Sequence, residues 1–276
     1  MPATGVVVLS GKGGTAKTLW QATMASEASR AGRRTLLVDV DPERNLSNRF
    51  GAPAHSTGLG NVLDDAGASA DEADVKQGAA RVTQEIVGTR WEHVELLPAG
   101  ASLSGVSQVN IPDTWLLRDI FTEAGIPDRY DLVLFDTGGR VGSLVTQAMY
   151  AADVAYAPIS PTTDAVRKAI EARARVERIQ RAHPLRWAGV VLSGFDVRAG
   201  IEDAIRATAI GQFADELRAE VPRRTAVNEA FQVGDRLGDR RDVSVTGLAD
   251  IFRGFLERDL MQLDGAAARY GAGVLR

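Results

Sequence analysis

Short runs of β-branched and aliphatic residues alternate with longer amphipathic stretches along this chain, and this alternation limits the possible fold more than any other feature. Such an order is typical of a parallel sheet whose strands are joined by crossover helices. Most of the runs are apolar throughout, as expected for strands that are buried on both faces. The predicted strands are residues 6–9, 35–41, 94–98, 131–137, 154–160 and 187–193.

The stretches between these strands predict helices over residues 17–31, 113–124, 163–182, 201–219 and 245–263. Two less regular stretches, 51–67 and 100–110, are rich in Gly, Ser and small residues, so we expect loops there. No repeat or linker divides the chain, and 276 residues with 45% hydrophobic content are enough for one core. We therefore predict a single domain over residues 1–276, with a doubly wound, mostly parallel α/β sheet and helices on both faces.

A Gly-rich turn, SGKGGTAKT over residues 10–18, joins the first predicted strand to the first predicted helix. Consecutive backbone N–H groups in such a turn, helped by the positive end of the helix dipole, bind phosphate oxygens. Lys17 is placed to reach the phosphates of a nucleotide, and the hydroxyl of Thr18 is a ligand suited to Mg²⁺. The residues of the turn predicted to bind nucleotide are Gly11, Lys12, Gly13, Gly14, Thr15, Ala16, Lys17, Thr18 and Leu19.

Lysine is rare in this chain, yet two lysines lie in that one turn. Only four of the 32 basic residues are Lys, and Lys12 and Lys17 are two of them. A compact ammonium on a flexible stem reaches into a tight phosphate cradle, whereas a guanidinium is a planar fork. We therefore expect two separate cationic roles in the turn.

The turn resembles the deviant Walker A motif of the ParA/MinD superfamily, because Lys12 directly follows the first Gly. The resemblance implies a P-loop NTPase fold and hydrolysis of ATP with Mg²⁺. It also implies that Lys17 contacts the nucleotide of its own subunit, whereas Lys12 contacts that of the other subunit in an ATP-bound homodimer.

Further motifs resemble the same family in order and spacing: LLVDVDPERNLS over 36–47, LPAG over 97–100, YDLVLFDTGG over 130–139 and VPRRTAVNEA over 221–230. The resemblance implies that Asp41 is catalytic together with Lys12 and Lys17, and orients the attacking water. It places Asp39 beside the P-loop and the metal shell, Asp136 with Thr18 at Mg²⁺, and Pro222 at the nucleotide.

Three carboxylates at the carboxyl ends of neighbouring strands, Asp39, Asp41 and Asp136, repel one another unless a cation lies among them. Mg²⁺ bound together with the phosphates of a nucleotide would be such a cation. The alternative is that one or more of these carboxylates only caps the helix or turn that follows it.

The charges are unevenly distributed: residues 1–164 carry 13 basic and 20 acidic side chains, and residues 165–276 carry 19 and 16. By resemblance to ParA proteins, the second half is expected to bind DNA non-specifically through Arg223 and Arg224, and a centromere-binding adaptor of ParB type to stimulate slow hydrolysis. An Arg-rich solvated surface is the alternative interpretation.

Three positions depart from the family pattern. Ala16 stands where Gly is usual, which adds a Cβ where an unusual φ is needed and puts turnover or affinity at risk. Leu19 replaces a common second Thr. The predicted strand that ends at Ser193 offers no Asn to the base, so base recognition is expected to differ.

Two other functions remain open: a MinD-like membrane-associated regulator, and a dimeric scaffold locked with nucleotide. The amphipathic segment 251–260 carries acidic residues, so we expect it to dock on the sheet, without stable membrane association. The absence of Cys excludes iron–sulfur relatives and disulfides. We expect a cytoplasmic, nucleoid-associated protein of the short ParA type, without an N-terminal helix-turn-helix.

Overall fold

The computed structural model describes residues 3–10, 16–66, 71–106, 111, 113–139, 142–196, 200–223, 229–230, 234–240 and 243–257. Eight strands in these ranges form one sheet. They are β1 (Thr4–Val8), β2 (Thr35–Val40), β3 (Val87–Gly88), β4 (Val94–Leu97), β5 (Leu132–Thr137), β6 (Val154–Ile159), β7 (Arg186–Phe195) and β8 (Leu217–Pro222). Their order is β3-β4-β2-β5-β1-β6-β7-β8, and only β3 is antiparallel to its neighbour among these strands. The predicted α/β class with a mostly parallel sheet is confirmed.

Eleven α-helices lie in the described ranges. They are α1 (Lys17–Arg30), α2 (Asn45–Arg49), α3 (Leu59–Asp65), α4 (Glu72–Glu85), α5 (Leu103–Val106), α6 (Leu116–Glu123), α7 (Ile126–Arg129), α8 (Ser143–Ala151), α9 (Ala165–Ile179), α10 (Gly200–Phe213) and α11 (Val243–Phe255). All six predicted strands are present, as are the five predicted helices, although α10 is shorter than predicted and residues beyond 257 are outside the described ranges. The sequence did not predict α2, α4, α7 or α8.

The prediction that residues 51–67 and 100–110 are loops was wrong in part, because α3 and α5 lie there. Glycines in these stretches allow close packing. A Cβ on Gly58 would lie 2.1 Å from the carbonyl oxygen of Pro98, and one on Gly60 would lie 2.4 Å from the amide of Leu103. The small residues that looked like loop formers therefore bring α3 against the chain that follows β4.

The predicted helix over 201–219 was also wrong at its end, because α10 stops at Phe213 and residues 217–222 form β8. This strand pairs in parallel with β7. Apolar and charged residues alternate along it from Leu217 to Val221. This period of two is typical of a strand whose two faces differ in polarity. The pairing with β7 overrides the helical tendency of the preceding residues.

Two apolar clusters cover the two faces of the sheet. On one face α1 and α11 pack together, with the rings of Trp20 and Phe252 centred 4.4 Å apart, and Phe255 is buried beside them. The helices from α3 to α10 contribute their buried apolar residues to the cluster on the other face. The segment 251–260 was expected to dock on the sheet, and its described part, residues 251–257, packs there, while residues 258–260 lie outside the described ranges. No helix among the described residues is long and apolar enough to cross a membrane.

His183 lies in the loop that joins α9 to β7, and its side chain is buried. The two ring nitrogens have different partners. Nε2 lies 2.6 Å from the carbonyl oxygen of Ala152, and Nδ1 lies 3.3 Å from Nη1 of Arg118. A carbonyl only accepts and a guanidinium only donates, so the proton is on Nε2 and the ring is neutral. Burial, with Arg118 beside the ring, lowers the pKa of His183 to about 4.

This histidine predicts a loss of stability in acid. Above the unfolded-state pKa of about 6.5, neither state is protonated. As the pH falls towards 4, the unfolded state binds a proton that the folded state does not, so the free energy of unfolding falls by up to about 3 kcal/mol. We expect His183→Gln, whose amide can replace both contacts without titrating, to remove this part of the pH dependence in urea unfolding.

The exposed His55 provides the matched control for the loss of an imidazole, and His55→Gln is measured in the same way. A constant stability difference between the wild type and His183→Gln across pH 4 to 6.5 would contradict the neutral, buried ring.

Candidate nucleotide-binding site

Five of the predicted site residues lie together at the carboxyl edge of the sheet: Lys17, Thr18, Asp39, Asp41 and Asp136. Lys17 and Thr18 begin α1, while Asp39 and Asp136 lie opposite each other in the register of β2 and β5. The hydroxyl of Thr18 donates a hydrogen bond of 2.7 Å to Oδ2 of Asp136. Two residues 118 positions apart in the chain are thus joined at the point where the sheet meets the first turn of α1.

Lys17 is buried and points along the end of β1. Its ammonium Nζ donates to the hydroxyl of Ser10 at 2.8 Å, and its residual exposure is 6%. Burial lowers the pKa of Lys17, although the nearby carboxylates of Asp136, Asp41 and Glu43 act in the opposite direction. A desolvated ammonium of this kind gains from an anion that replaces lost hydration, which fits the predicted phosphate contact. Gly11, Lys12, Gly13, Gly14 and Thr15 lie outside the described residues.

Asp136 carries a buried oxygen that lacks a partner among the described residues. Oδ2 accepts from Thr18, whereas Oδ1 is buried with no hydrogen bond. Burial and the neighbouring Asp39 raise the pKa of Asp136 to about 8. No group of three or more acidic or histidine side chains in the described ranges is placed to hold a metal alone. An unpaired carboxylate oxygen beside a hydroxyl fits Mg²⁺, which takes one or two protein ligands and completes its shell with phosphates and water.

Asp39 is fully buried and fixes the segment that follows β2. Its Oδ2 accepts from the backbone N–H of Ser47 at 2.7 Å and from the hydroxyl of Ser47 at 2.6 Å, and its Oδ1 accepts from the backbone N–H of Asp41 at 3.1 Å. Burial raises the pKa of Asp39 to about 6 against the effect of these hydrogen bonds. Among the described residues Asp39 therefore caps the start of α2, which is the alternative interpretation of this carboxylate.

Ser47 is a structural residue of the site that the sequence did not single out, although it lies in the quoted motif. Its hydroxyl donates to Asp39 and accepts from the backbone N–H of Ala99 at 3.0 Å. It thereby ties the end of β2 to the chain that leaves β4.

Asp41 is held directly after β2 with 7% exposure. Its Oδ1 accepts from the backbone N–H of Glu43 at 3.0 Å and its Oδ2 from the side chain of Asn45 at 3.2 Å. A Cβ added to Gly138, beyond β5, would lie 2.9 Å from Oδ1 of Asp41. The carboxylate therefore closes the turn after β2 and also lies against the end of β5, close to Asp136 and Lys17.

Ala16 and Leu19 depart from the family pattern in different environments. Ala16 precedes α1 with φ 61° and ψ 19°, which is the left-handed region that favours glycine. The expectation of an unusual φ at this position is confirmed. Leu19 is half-buried and packs against the edge of the apolar cluster beneath α1.

Several arginines of the second half have acidic partners. Among them are Arg167 with Asp164 and Glu171, Arg173 with Glu216, Arg206 with Glu220, and Arg223 with Glu202. These pairs reduce the positive potential of the surface. Arg224 and the side chain of Pro222 are outside the described parts of the chain, and the DNA contact of Arg223 and Arg224 stays a prediction.

A family model described as an AAA domain (AAA_31) matches residues 3–184. The chain is 28% identical over 240 residues to the chromosome partitioning protein ParA of Caulobacter vibrioides, which covers 84% of this chain and 85% of the relative. It is 26% identical to the chromosome-partitioning ATPase Soj of Treponema pallidum over 82% of this chain and 85% of Soj.

Two solved structures show the same fold. An ATP complex of a Cyanothece McdA variant has a TM-score of 0.76 at 16% identity and covers 92% of this chain and 95% of its own. The septum site-determining protein MinD of Pyrococcus horikoshii, complexed with Mg-ADP, has a TM-score of 0.71 at 21% identity and covers 97% and 98%. With a family model that spans most of the chain, this protein belongs to the AAA_31 family, and it has the fold of the ParA/MinD-type P-loop proteins.

Proposed function

We propose that this protein is a DNA partition ATPase that binds ATP with Mg²⁺, dimerises in the ATP-bound state and binds DNA non-specifically. It hydrolyses ATP slowly, and an adaptor of ParB type stimulates it. The observation that carries the proposal is the buried Oδ1 of Asp136, which has no hydrogen-bond partner among the described residues and lies beside Thr18 and Lys17 at the end of the first strand-turn-helix unit. The relatives named as ParA and Soj are partitioning proteins, which supports this choice within the family.

Each residue of the site has a proposed role. Thr18 and Asp136 hold Mg²⁺, which neutralises phosphate charge when bound. Lys17 contacts the phosphates of its own nucleotide, and the backbone of residues 11–19 cradles them. Asp41 orients the water that attacks the terminal phosphate, and Asp39 keeps Asp41 in place through its hydrogen bond to the Asp41 amide. Phosphoryl transfer needs mainly such positioning and charge neutralisation.

Lys12 has a separate role in this proposal, because it contacts the nucleotide of the other subunit. We expect Lys12→Ala to keep the ATP affinity of the wild type but to remain monomeric in saturating ATP and Mg²⁺, as measured by light scattering. Lys76→Ala, at an exposed lysine of α4, is the matched control and should dimerise normally. An ATP-dependent dimer of Lys12→Ala would rule out the role in trans.

The function as a whole is tested by DNA binding and hydrolysis together. We expect ATP and Mg²⁺ to promote binding to DNA of any sequence, with affinity that falls steeply between two salt concentrations. Hydrolysis should be slow alone and faster with DNA and the adaptor. ATP binding without any DNA binding would exclude a function in DNA partition. Hydrolysis that stays at background under all conditions would exclude the proposed ATPase activity. Because the proposed partner is DNA, we propose that the protein associates with the nucleoid in the cytoplasm.

The strain at Ala16 favours a second function, a dimeric scaffold that keeps its nucleotide. An Ala in the left-handed region costs about 1 kcal/mol relative to Gly. We expect Ala16→Gly to raise the free energy of unfolding by about 0.5–1 kcal/mol and to increase turnover severalfold, measured by urea unfolding and steady-state ATPase assays. Turnover that stays at background in both proteins would support the scaffold. Equal, measurable turnover would show that Ala16 does not limit catalysis.

The MinD-like alternative receives less support from the structure. The apolar face of α11 is buried against α1, with Phe252 and Phe255 in contact with Trp20, so the described part of this helix has no apolar face to offer to lipid. Residues from 258 onwards lie outside the described ranges. ATP-dependent sedimentation with anionic vesicles would restore this alternative.

A further inference from the structure

A buried glutamine lies in the core one turn after the start of α1. Gln21 follows Thr18 by three residues, so the two side chains lie on the same side of the helix. The side chain of Gln21 is fully buried, and two of its hydrogen-bond partners, Val6 and Tyr156, belong to the apolar cluster on this face of the sheet. A buried amide costs free energy unless its polar atoms are hydrogen-bonded, so its contacts explain its presence.

The amide of Gln21 connects α1 to three strands. Its Nε2 donates to the carbonyl oxygen of Phe135 on β5 at 2.9 Å and to that of Val6 on β1 at 3.4 Å. Its Oε1 accepts from the hydroxyl of Tyr156 on β6 at 3.4 Å. These strands are neighbours in the sheet, with β1 between the other two. One side chain therefore fixes the position of α1 over the middle of the sheet.

The partners of this amide also fix its orientation. Backbone carbonyls only accept hydrogen bonds, so the NH₂ group must face Phe135 and Val6. The amide oxygen then needs a donor, and Tyr156 supplies it. Burial raises the pKa of Tyr156, and the charge of Asp136 acts in the same direction, so the phenol keeps its proton.

The shortest of these hydrogen bonds acts next to the carboxylate that is proposed to bind the metal. Phe135 directly precedes Asp136, whose Oδ2 accepts from the hydroxyl of Thr18 at 2.7 Å. Gln21 thus holds both the strand that carries Asp136 and the helix that carries Thr18. Mg²⁺ demands near-ideal octahedral geometry, so its affinity depends on how well its protein ligands are placed.

From these contacts we infer that Gln21 is a positioning residue for Mg²⁺, and that Tyr156 acts through Gln21 by orienting its amide. The inference rests on the proposed function, in which Thr18 and Asp136 hold the metal. Gln21 and Tyr156 act from the core, through the backbone of β5 and of α1, and not as ligands. Together they keep α1 and β5 at the separation that both metal ligands need.

Titrations of ATP in EDTA, in Mg²⁺ and in Ca²⁺ separate metal positioning from general damage, because Ca²⁺ accepts a more flexible set of oxygen ligands. Gln21→Met keeps the length of the side chain and removes the amide. In EDTA we expect this variant to bind ATP like the wild type, because Lys17 is unchanged. The gain in ATP affinity that Mg²⁺ provides should fall about tenfold, and the gain from Ca²⁺ should fall less.

Gln147 of α8 provides the matched control, since it is also a buried glutamine but contacts α6 on the opposite face of the sheet. Its Oε1 accepts from the backbone N–H of Leu117 at 2.9 Å, and its Nε2 donates to the carbonyl oxygen of Asp113. We expect Gln147→Met to lower the free energy of unfolding in urea, as Gln21→Met does, but to keep the full gain in ATP affinity from Mg²⁺.

A double variant tests Tyr156 and separates metal binding from stability. Gln21→Met leaves the hydroxyl of Tyr156 buried without this acceptor, which is costly. Combining Gln21→Met with Tyr156→Phe replaces the whole contact by apolar groups of similar shape, so stability should return. The gain from Mg²⁺ should stay as low as in Gln21→Met alone, and Tyr156→Phe alone should lose less. Losses that add in the double variant would overturn the role of Tyr156.

An unchanged gain from Mg²⁺ in Gln21→Met, or equal losses of ATP affinity in EDTA, Mg²⁺ and Ca²⁺, would overturn the inference while the proposed function stands. A double variant that regains the full gain from Mg²⁺ together with its stability would show that the contact serves the fold alone, as would the unfolding of both variants. Wild-type protein that gains no ATP affinity from Mg²⁺ would instead overturn the metal site of the proposed function, and this inference with it.

Discussion

Replacing Lys17 by Ala is expected to weaken ATP binding more than a hundredfold, because two or more charge-assisted contacts of about 1.5–3 kcal/mol each are lost from a buried position. Lys17 is buried at the start of α1 with its ammonium on Ser10. The measurement is isothermal titration with Mg·ATP.

The folded state should survive this change. Burial lowers the pKa of Lys17 despite three nearby carboxylates, so the charged form is disfavoured in the absence of phosphate. The variant without nucleotide should therefore unfold at the same temperature as the wild type or at a higher one. Lys17→Arg should also fail to bind ATP, since the larger, planar guanidinium does not fit a site shaped for an ammonium.

Lys76 provides the comparison within the same chain. It is 58% exposed on α4 and pairs with Glu72, so Lys76→Ala should bind ATP like the wild type. Near-normal ATP affinity in Lys17→Ala would mean that the turn before α1 does not hold phosphates through this residue.

The second large effect is expected at Asp41. Asp41→Ala should bind ATP and dimerise but hydrolyse ATP about a hundredfold more slowly or worse, because the group that orients water is absent. Single-turnover hydrolysis by preformed ATP complexes measures this step apart from binding.

Asp41 also closes a turn, so an isosteric variant is needed to separate the two roles. Asp41→Asn retains an oxygen that can accept from the backbone N–H of Glu43 but removes the charge. We expect it to lose turnover as Asp41→Ala does. If Asp41→Asn hydrolysed ATP normally while Asp41→Ala did not, the role of Asp41 would be confined to the turn. Asp64→Ala, at an exposed position of α3, controls for the loss of an acidic residue.

The elements that the sequence predicted well are those with local causes. The strands at β1, β2, β5 and β6 are continuous apolar runs, and the polar residues that follow them must meet at one edge when the strands are parallel. For this reason Lys17, Thr18, Asp41 and Asp136 could be proposed before their contacts were known.

The elements that were missed depend on distant partners. Gly58 and Gly60 resemble loop residues until their packing against residues 98–103 is seen. Residues 217–222 become a strand because β7 lies beside them. The contact of Asp39 with Ser47 joins residues eight positions apart across a turn whose course local propensity does not define.

The sequence by itself determined the parallel α/β class and predicted the phosphate turn and the three acidic residues of the proposed site, because hydrophobic period, glycine content and charge type are properties of neighbouring residues. Only the tertiary structure decided which contacts the side chains of those residues make. In the part of the chain that the structure describes, it paired Thr18 with Asp136, left one oxygen of Asp136 without a hydrogen-bond partner and turned Asp39 towards Ser47. It also placed Glu202 under Arg223, since hydrogen bonds and burial depend on distances that only the packed chain defines.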